Sequence, residues 1–429
     1  MILGVTSLAA ILMLAFLRVP LGFALLGVSL SGLAWLAGPQ LAGSMLAMTI
    51  SENAFSYDLA VLPMFVLMGN ILAATGISDD LFRAANAWLG ARRGGLALAT
   101  MVSCAGFASV SGSSFATAAT MSKVAYPPMK SFGYSDKLAS ATIAAGGTLG
   151  ILIPPSTILI LYGILTETSI GDLFIAGIGP GVLGLLLYAL VVVVISHLRP
   201  EEAPRAEPQP LDEKLRALSG VWPFALLFLT IIGGIYLKLF TPTEAAGMGA
   251  GFAILIAMLL GRLNLKILGE AFRETVMTTV MLYVVLFGAM LLAKLISMSG
   301  MGFAVQALVT ESGLGPYQTL LAILGIFLVL GCVMESLAII LICVPLFAPV
   351  VQAMGMDLVW FGILVVVVTE IGLITPPVGM NVFVLNSCLP GVSMPTIFRG
   401  LLPFIAIDVL RLGLLITLPW IALALVNAS

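Results

Sequence analysis

Ala145-Gly146-Gly147-Thr148-Leu149-Gly150-Ile151-Leu152-Ile153-Pro154-Pro155-Ser156 decides how this chain is read. Its counterpart is Ile371-Gly372-Leu373-Ile374-Thr375-Pro376-Pro377-Val378-Gly379. Each sets glycine and a Pro-Pro pair inside a long apolar run. Proline has no N–H, and it disfavours helix in the residue before it. A membrane helix broken in this way exposes backbone carbonyls and amides at mid-bilayer. Lipid cannot satisfy them, so they must face protein or a wet cavity. A matched pair of broken helices, one per half, is the pattern from which secondary transporters build ion and substrate sites.

Composition fits that setting. Of 429 residues, 61% are hydrophobic and 9% charged, with mean hydropathy +1.18. This predicts an all-α polytopic membrane protein in a lipid bilayer. Net charge is -2, with no basic bias toward nucleic acid. The first apolar run, 2–17, lacks a basic n-region, so a cleaved signal peptide is not expected. Cys104, Cys332, Cys343 and Cys388 all lie in apolar runs and read as small hydrophobes rather than a disulfide or metal framework. His197 is the only histidine, which argues against zinc or haem.

Crossings are predicted near 2–17, 20–37, 59–75, 138–166 and 173–198, then near 218–238, 243–261, 280–297, 357–387 and 396–425. A polar stretch, 199–217, reads as a solvated cytoplasmic linker between repeats at 1–198 and 218–429. Each half holds one further apolar stretch, 94–130 and 316–354, with a polar centre: Ser109-Val110-Ser111-Gly112-Ser113-Ser114 and Met334-Glu335-Ser336. Each leg is roughly 25 Å of helix, marginal for a span, so both read as re-entrant hairpins. The alternative is a pair of ordinary crossings, which leaves the overall topology unchanged. Stretches 78–93, with Ser78 as a cap, and 263–279, with Leu265, Leu268, Phe272 and Val276 on one face, read as interfacial helices or as plain connectors.

The halves repeat. Gly150, Pro154 and Pro155 align with Gly372, Pro376 and Pro377 at an offset of 222, and Gly76 aligns with Gly300. Each half has an odd number of crossings, which predicts an inverted-topology repeat. With the N-terminus outside, fifteen of the eighteen lysines and arginines fall inside; Lys238 and Lys294 fall outside and Arg411 within a crossing. Both termini are therefore expected to be periplasmic.

The first tip is rich in hydroxyls, and broken helices free carbonyls. Both are oxygen ligands for an alkali cation, although small residues also serve close helix packing, as in Gly247-x-x-x-Gly251. Glu335 at the second tip and Glu370 before the second break are carboxylates in a membrane, costing about 2.5–3.5 kcal/mol on insertion scales, which marks them as functional candidates. Asp408 and Arg411, three apart, read as a self-neutralising pair. Gly179-Pro180-Gly181-Val182-Leu183-Gly184 fits a dinucleotide pattern but follows no strand, so it is set aside. No Gly-Lys pair exists, so no Walker motif does, which favours an ion gradient over ATP.

In Val110-Ser111-Gly112-Ser113-Ser114-Phe115-Ala116-Thr117-Ala118-Ala119-Thr120, in the 145–156 stretch and in Glu370-Ile371-Gly372-Leu373-Ile374-Thr375-Pro376-Pro377-Val378-Gly379-Met380-Asn381, the chain resembles the large membrane subunit of tripartite ATP-independent periplasmic (TRAP) transporters over essentially its whole length. Glu335 stands where many relatives have aspartate. The resemblance implies sodium-driven uptake of an organic acid across a bacterial inner membrane by an elevator mechanism. It implies a small membrane subunit and a periplasmic substrate-binding protein as partners, no enzyme activity, and no cofactor beyond sodium as coupling ion. It places one sodium at Ser111, Gly112, Ser113, Gly147, Thr148 and Gly150, and another at Glu335, Gly372, Thr375 and Gly379. Substrate would lie between the tips, near Ser114, Thr117, Ser156, Ser336 and Asn381. A stand-alone sodium–dicarboxylate carrier or ion antiporter of similar architecture is the runner-up. A membrane enzyme or channel component is the third reading, and no catalytic constellation supports it.

Overall fold

A computed structural model of the chain describes residues 2–54, 56–205, 209–311 and 313–428, without the side chains of Ile77, Ser78 and Thr310. Among the described residues there are helices and no strands. The first half runs α1 (Ile2–Phe16), α2 (Leu21–Ala37), α3 (Pro39–Ala54), α4 (Val61–Ala74), α5 (Ile77–Leu89), α6 (Gly95–Ser111), α7 (Ser114–Val124), α8 (Tyr126–Ser131), α9 (Asp136–Leu149), α10 (Thr157–Thr166) and α11 (Ile170–Leu198). The second half runs α12 (Leu211–Leu218), α13 (Trp222–Tyr236), α14 (Pro242–Leu259), α15 (Leu265–Met298), α16 (Met301–Glu311), α17 (Pro316–Gly331), α18 (Ser336–Ala353), α19 (Leu358–Ile374), α20 (Met380–Cys388), α21 (Met394–Thr417) and α22 (Trp420–Ala428).

The repeat is visible in packing. α2 packs on α15, and its counterpart α14 packs on α4. α6 packs on α9 as α17 packs on α19; α20 reaches across to α7 as α10 reaches across to α18. Matching positions share local chemistry. Gly133 after α8 and Gly355 after α18 both adopt the left-handed conformation that lets a helix end, and Ser135 and Asp357 then cap α9 and α19. Gly76 and Gly300 are likewise both left-handed. The Pro154–Pro155 and Pro376–Pro377 bonds are both cis. The fold is thus an inverted-topology repeat with two helical hairpins, α6–α7 and α17–α18, and two discontinuous helices, α9–α10 and α19–α20.

The discontinuous helices form the centre. Every residue from Leu138 to Leu149 of α9 is buried, as is every residue from Trp360 to Ile374 of α19. Apart from Glu370, both are apolar or small on all sides, as a helix surrounded by others must be. By contrast Leu186, Leu190 and Val409 are exposed on the outer helices, an apolar surface that suits lipid. By length and composition, α11, α14, α15, α18 and α21 can each cross a bilayer alone.

Five expectations need correction. The stretch 263–279 is no separate interfacial helix: α15 continues through it for 34 residues, or roughly 51 Å. Its apolar Leu265, Phe272 and Val276 are exposed, while Ala271 and Thr275 pack inward and Asn70 of α4 donates to Thr275 Oγ1 at 3.0 Å. Helices α3 and α16 had no counterpart in the sequence reading. The linker is not solvated throughout: Ala203 is buried, Ser135 N donates to Glu202 O, and Trp88 of α5 donates to the Lys214 carbonyl on α12. A Cβ on Gly247 or Gly251 would meet nothing among the described residues, and Gly249, against Met68 and Ile231, is the packing glycine. Cys388 is only half-buried, unlike the other cysteines. The Ser78 cap falls outside the described side chains.

The helical 78–93 segment does appear, as α5, but it is anchored. Asp80 accepts from Arg83 and from Arg262, each at 2.6 Å. The glycines of the dismissed dinucleotide pattern have packing duties inside α11: a Cβ on Gly179 would meet the Ile421 carbonyl, and one on Gly184 would meet the Arg411 guanidinium.

Candidate tip-and-break site

Two hairpin tips and two helix breaks come together at the centre. In the first tip, Gly112 turns left-handed and Ser113 starts α7, its Oγ accepting from Ala116 N at 3.3 Å. The Ser111 and Thr117 hydroxyls are 3.1 Å apart, and Thr117 also donates to Ser113 O at 2.8 Å. The tip rests on its own break. Thr157 Oγ1 donates to Gly112 O at 3.2 Å, and the Gly147 face lies against Ser114 O and Ala118. Gly150 sits so close to Ala108 that a Cβ would lie 2.1 Å from the Ala108 methyl.

The second half repeats the arrangement with different chemistry. Gly379 N donates to Cys332 O at 3.1 Å, and Thr375 Oγ1 donates to Ile371 O at 2.6 Å. Gly372 is pressed on Gly331, where a Cβ would lie 2.5 Å from the Gly331 backbone. At both junctions only glycine allows hairpin and break to touch.

The tips then meet at one side chain. Glu370, in α19 just before its break, is 4% exposed. Its Oε2 accepts from Ser114 Oγ at 3.0 Å and its Oε1 from Ser336 Oγ at 2.7 Å. Ser114 opens α7 and Ser336 opens α18, so one carboxylate holds the second leg of each hairpin.

Most of the sequence-predicted residues fall here. Ser111, Gly112, Ser113, Ser114 and Thr117 form the first tip, and Gly147, Thr148 and Gly150 line its break. Ser336, Gly372, Thr375 and Gly379 form the second junction. Glu335 caps the start of α18 by position without a side-chain cap bond, and it is exposed at the tip. Two further residues are buried beside them. Ser156 is fully buried, and its hydroxyl accepts from Leu159 N as the N-cap of α10. Asn381 reaches the Ala144 carbonyl of α9 at 3.5 Å, and its Oδ1 is buried without a partner among the described residues. Glu370 was a candidate without an assigned role, and nothing local in the sequence shows that both tips close on it.

The chain matches the family profile of the tripartite ATP-independent periplasmic transporter, DctM component, over residues 8–421. The chain belongs to this family. A C4-dicarboxylate TRAP transporter large permease of Pseudomonas aeruginosa is 38% identical over 385 residues, 89% of each chain. An ectoine TRAP large permease of Halomonas elongata is 34% identical over 370 residues, 86% of each. A sialic acid TRAP large permease of Vibrio cholerae is 30% identical over 418 residues, 96% of each. Among solved structures, the YdaH transporter of Alcanivorax borkumensis aligns with TM-score 0.63 at 15% identity, covering 90% of this chain and 89% of that one. MtrF of Neisseria gonorrhoeae aligns with TM-score 0.62 at 14% identity, covering 89% and 84%. These two likenesses concern the fold. As a TRAP large permease the chain is a multi-pass membrane subunit of a transporter, not an enzyme.

Both junctions of this TRAP large permease gather oxygen donors. The first junction offers the Ser111 and Thr148 hydroxyls and the carbonyls freed at the end of α9. The second offers the Thr375 hydroxyl, carbonyls at the end of α19 and the nearby carboxylates. All are hard oxygen donors, which suit an alkali or alkaline-earth cation rather than a soft metal. Helices α7, α10, α18 and α20 all begin at this centre, and a helix start carries partial positive charge suited to an anion.

Proposed function

We propose that this TRAP large permease is the translocating subunit of a sodium-coupled importer of an organic acid in a bacterial inner membrane. The observation that carries the proposal is the convergence of both tips on Glu370 beside oxygen-rich breaks. One sodium is held at the first junction by Ser111, Gly112, Ser113, Gly147, Thr148 and Gly150. A second is held by Glu335, Gly372, Thr375 and Gly379. The substrate carboxylate sits between the tips, near Ser114, Thr117, Ser336 and Asn381, facing hydroxyls and helix starts rather than a cationic side chain.

The transport step is an elevator motion. Hairpins and broken helices are tied to one another by the Thr157–Gly112, Gly379–Cys332 and Glu370 bonds, which favours their moving as one body. The remaining helices form the scaffold, together with a small membrane subunit. A periplasmic binding protein delivers the substrate. The acids and zwitterions for which the relatives are named, C4-dicarboxylate, sialic acid and ectoine, support a small carboxylate as cargo.

Both termini are periplasmic in this proposal. Contacts between segments assigned to one side support it. Arg262 reaches Asp80, and Lys137 and Arg199 share Glu202, all at the basic face. Tyr57 and Thr241 approach to 3.3 Å at the opposite face. The deciding experiment is uptake into proteoliposomes with an imposed sodium gradient. Uptake that is indifferent to sodium, with all partners present, would falsify the coupling.

A further inference from the structure

Thr148 is the position related by the repeat to Glu370, and it begins a second buried polar chain. Its Oγ1 lies 2.7 Å from Ala145 O and 3.4 Å from Tyr188 Oη. Tyr188 in turn bonds the Asp408 Oδ2 atom. Arg411 lies 3.5 Å from Asp408 Oδ1 and donates to Pro180 O at 2.9 Å. All four side chains are at most 3% exposed. They join three helices, α9, α11 and α21. The fit is specific: Phe404 meets the Tyr188 ring edge-on at 5.4 Å, and Gly184 is the only residue type that leaves room for the guanidinium.

Proton directions follow from the donor inventory. Arginine only donates and always carries its charge, so a buried Arg411 requires a counter-charge, and Asp408 supplies it as a carboxylate. A carboxylate only accepts. The single proton of Tyr188 therefore goes to Asp408, and Tyr188 Oη is left as an acceptor toward Thr148. The one Thr148 proton is then aimed at protein oxygens, either Tyr188 Oη or Ala145 O. Its lone pairs are left for another charge.

We propose that Tyr188, Asp408 and Arg411 are positioning residues that orient the Thr148 hydroxyl with its lone pairs toward a bound alkali cation at the first break. The proposal rests on the sodium reading above and adds residues that do not touch the ion. The chain explains why an ion pair lies inside a membrane helix at all: its function is proton orientation, beyond mutual neutralisation.

The test uses the complete transporter in proteoliposomes, with uptake measured across a sodium series. Thermal unfolding of the purified large subunit in sodium against choline gives a second readout, because a bound ion raises the unfolding temperature. Tyr188→Phe removes one acceptor and is expected to raise the sodium half-saturation by about three- to tenfold, with the maximal rate kept, in line with one hydrogen bond. Asp408→Asn, which can donate back to Tyr188, is expected to shift it in the same direction. Tyr162→Phe is the control. Tyr162 is equally buried, but its hydroxyl donates to Leu358 O at 2.6 Å, away from the break. It is expected to lower thermal stability without moving the sodium dependence. Should Tyr188→Phe fold poorly, Asp408→Asn and the sodium-dependent unfolding shift decide. An unchanged sodium half-saturation in both variants, with wild-type uptake still sodium-dependent, overturns this proposal alone. A wild-type transporter without sodium dependence overturns it together with the sodium reading.

Discussion

Ser114 and Ser336, residues related by the 222-residue repeat, donate to opposite oxygens of the same Glu370 carboxylate. A pseudo-symmetric pair of donors has thus been given one asymmetric acceptor. Neither hairpin can shift its second leg relative to the other without giving up a buried hydrogen bond. A buried hydroxyl left unpaired costs about 1–3 kcal/mol, so the carboxylate favours one relative position of the tips. With a cation bound beside it, an ionised Glu370 would also supply the balancing negative charge.

Replacing Glu370 tests both roles. Glu370→Gln keeps the shape, removes the charge and turns one acceptor into a donor. We expect uptake to fall by about tenfold or more, because a buried charge-assisted bond is worth roughly that much. Ser114→Ala or Ser336→Ala alone should cost less, and either combined with Glu370→Gln should cost less than the sum of the two. Wild-type uptake by Glu370→Gln across the sodium range would remove the carboxylate from the mechanism.

Much of this centre was legible in the sequence because glycine and proline act locally. The breaks at Gly150–Pro155 and Gly372–Pro377, the tips, and the repeat relating them all follow from backbone chemistry that an apolar run cannot conceal. What stayed hidden depends on distance in the fold. That Ser114 and Ser336 close on Glu370 is a matter of how two hairpins and a helix are set against each other. Helix α3 was missed because its Ser, Thr, Asn and Glu residues dilute a short apolar pattern. The first part of α15 was read as interfacial because Phe272 and Val276 do share an apolar face. That face is exposed, and the packed face is the small and polar one of Ala271 and Thr275. Ser156 stands near the substrate only by the family resemblance; a hydroxyl after Pro-Pro can serve as cap or as ligand, and composition does not separate the two.

The glycine contacts predict a sharp contrast. Gly150→Ala and Gly372→Ala would force a methyl to 2.1 Å from Ala108 Cβ and 2.5 Å from Gly331 backbone atoms. Backbone cannot yield cheaply, so each should destabilise by about 1–3 kcal/mol and lower uptake. Gly251→Ala, with open space around it, should be tolerated. The check is thermal unfolding of the three purified variants side by side. Equal unfolding temperatures would mean that hairpin and break are not in the contact described.

Sodium dependence separates ligands from caps. Thr148→Ala removes a hydroxyl that caps nothing, so it should raise the sodium half-saturation with little loss of expression. Ser113→Ala also removes the bond from Ala116 N, worth about 1 kcal/mol as a helix cap, so its stability should fall as well. Sodium activation curves in proteoliposomes provide the comparison. Two wild-type curves would place the first sodium elsewhere.

Topology can be read at α12. Glu213 is exposed on this helix, which follows the linker between the repeats; Glu207 lies outside the described residues and is the poorer probe. The positive-inside rule puts this segment in the cytoplasm. In a background without native cysteines, Glu213→Cys should resist a membrane-impermeant thiol reagent in intact cells and react after permeabilisation. Equal labelling before and after would reverse the orientation.

The partners give the last prediction. The large permease by itself is expected to bind sodium but not to sustain uptake. The described residues are helical almost throughout. Its longest polar stretch, 199–217, is partly folded onto the body through Ala203, Glu202 and α12, and so offers no soluble domain for capturing substrate. In the proposed elevator the scaffold must also stay still while the tips move, and a small membrane subunit would widen its hold on the bilayer. Reconstitution with each component left out in turn separates these needs. Full uptake should require the large permease, the small subunit, a loaded binding protein and an inward sodium gradient. Omitting the binding protein should abolish uptake while leaving sodium-dependent thermal stabilisation of the large permease intact. Sodium-driven uptake by the large permease alone would instead make it a self-sufficient carrier, with the tip-and-break centre serving for capture as well as translocation.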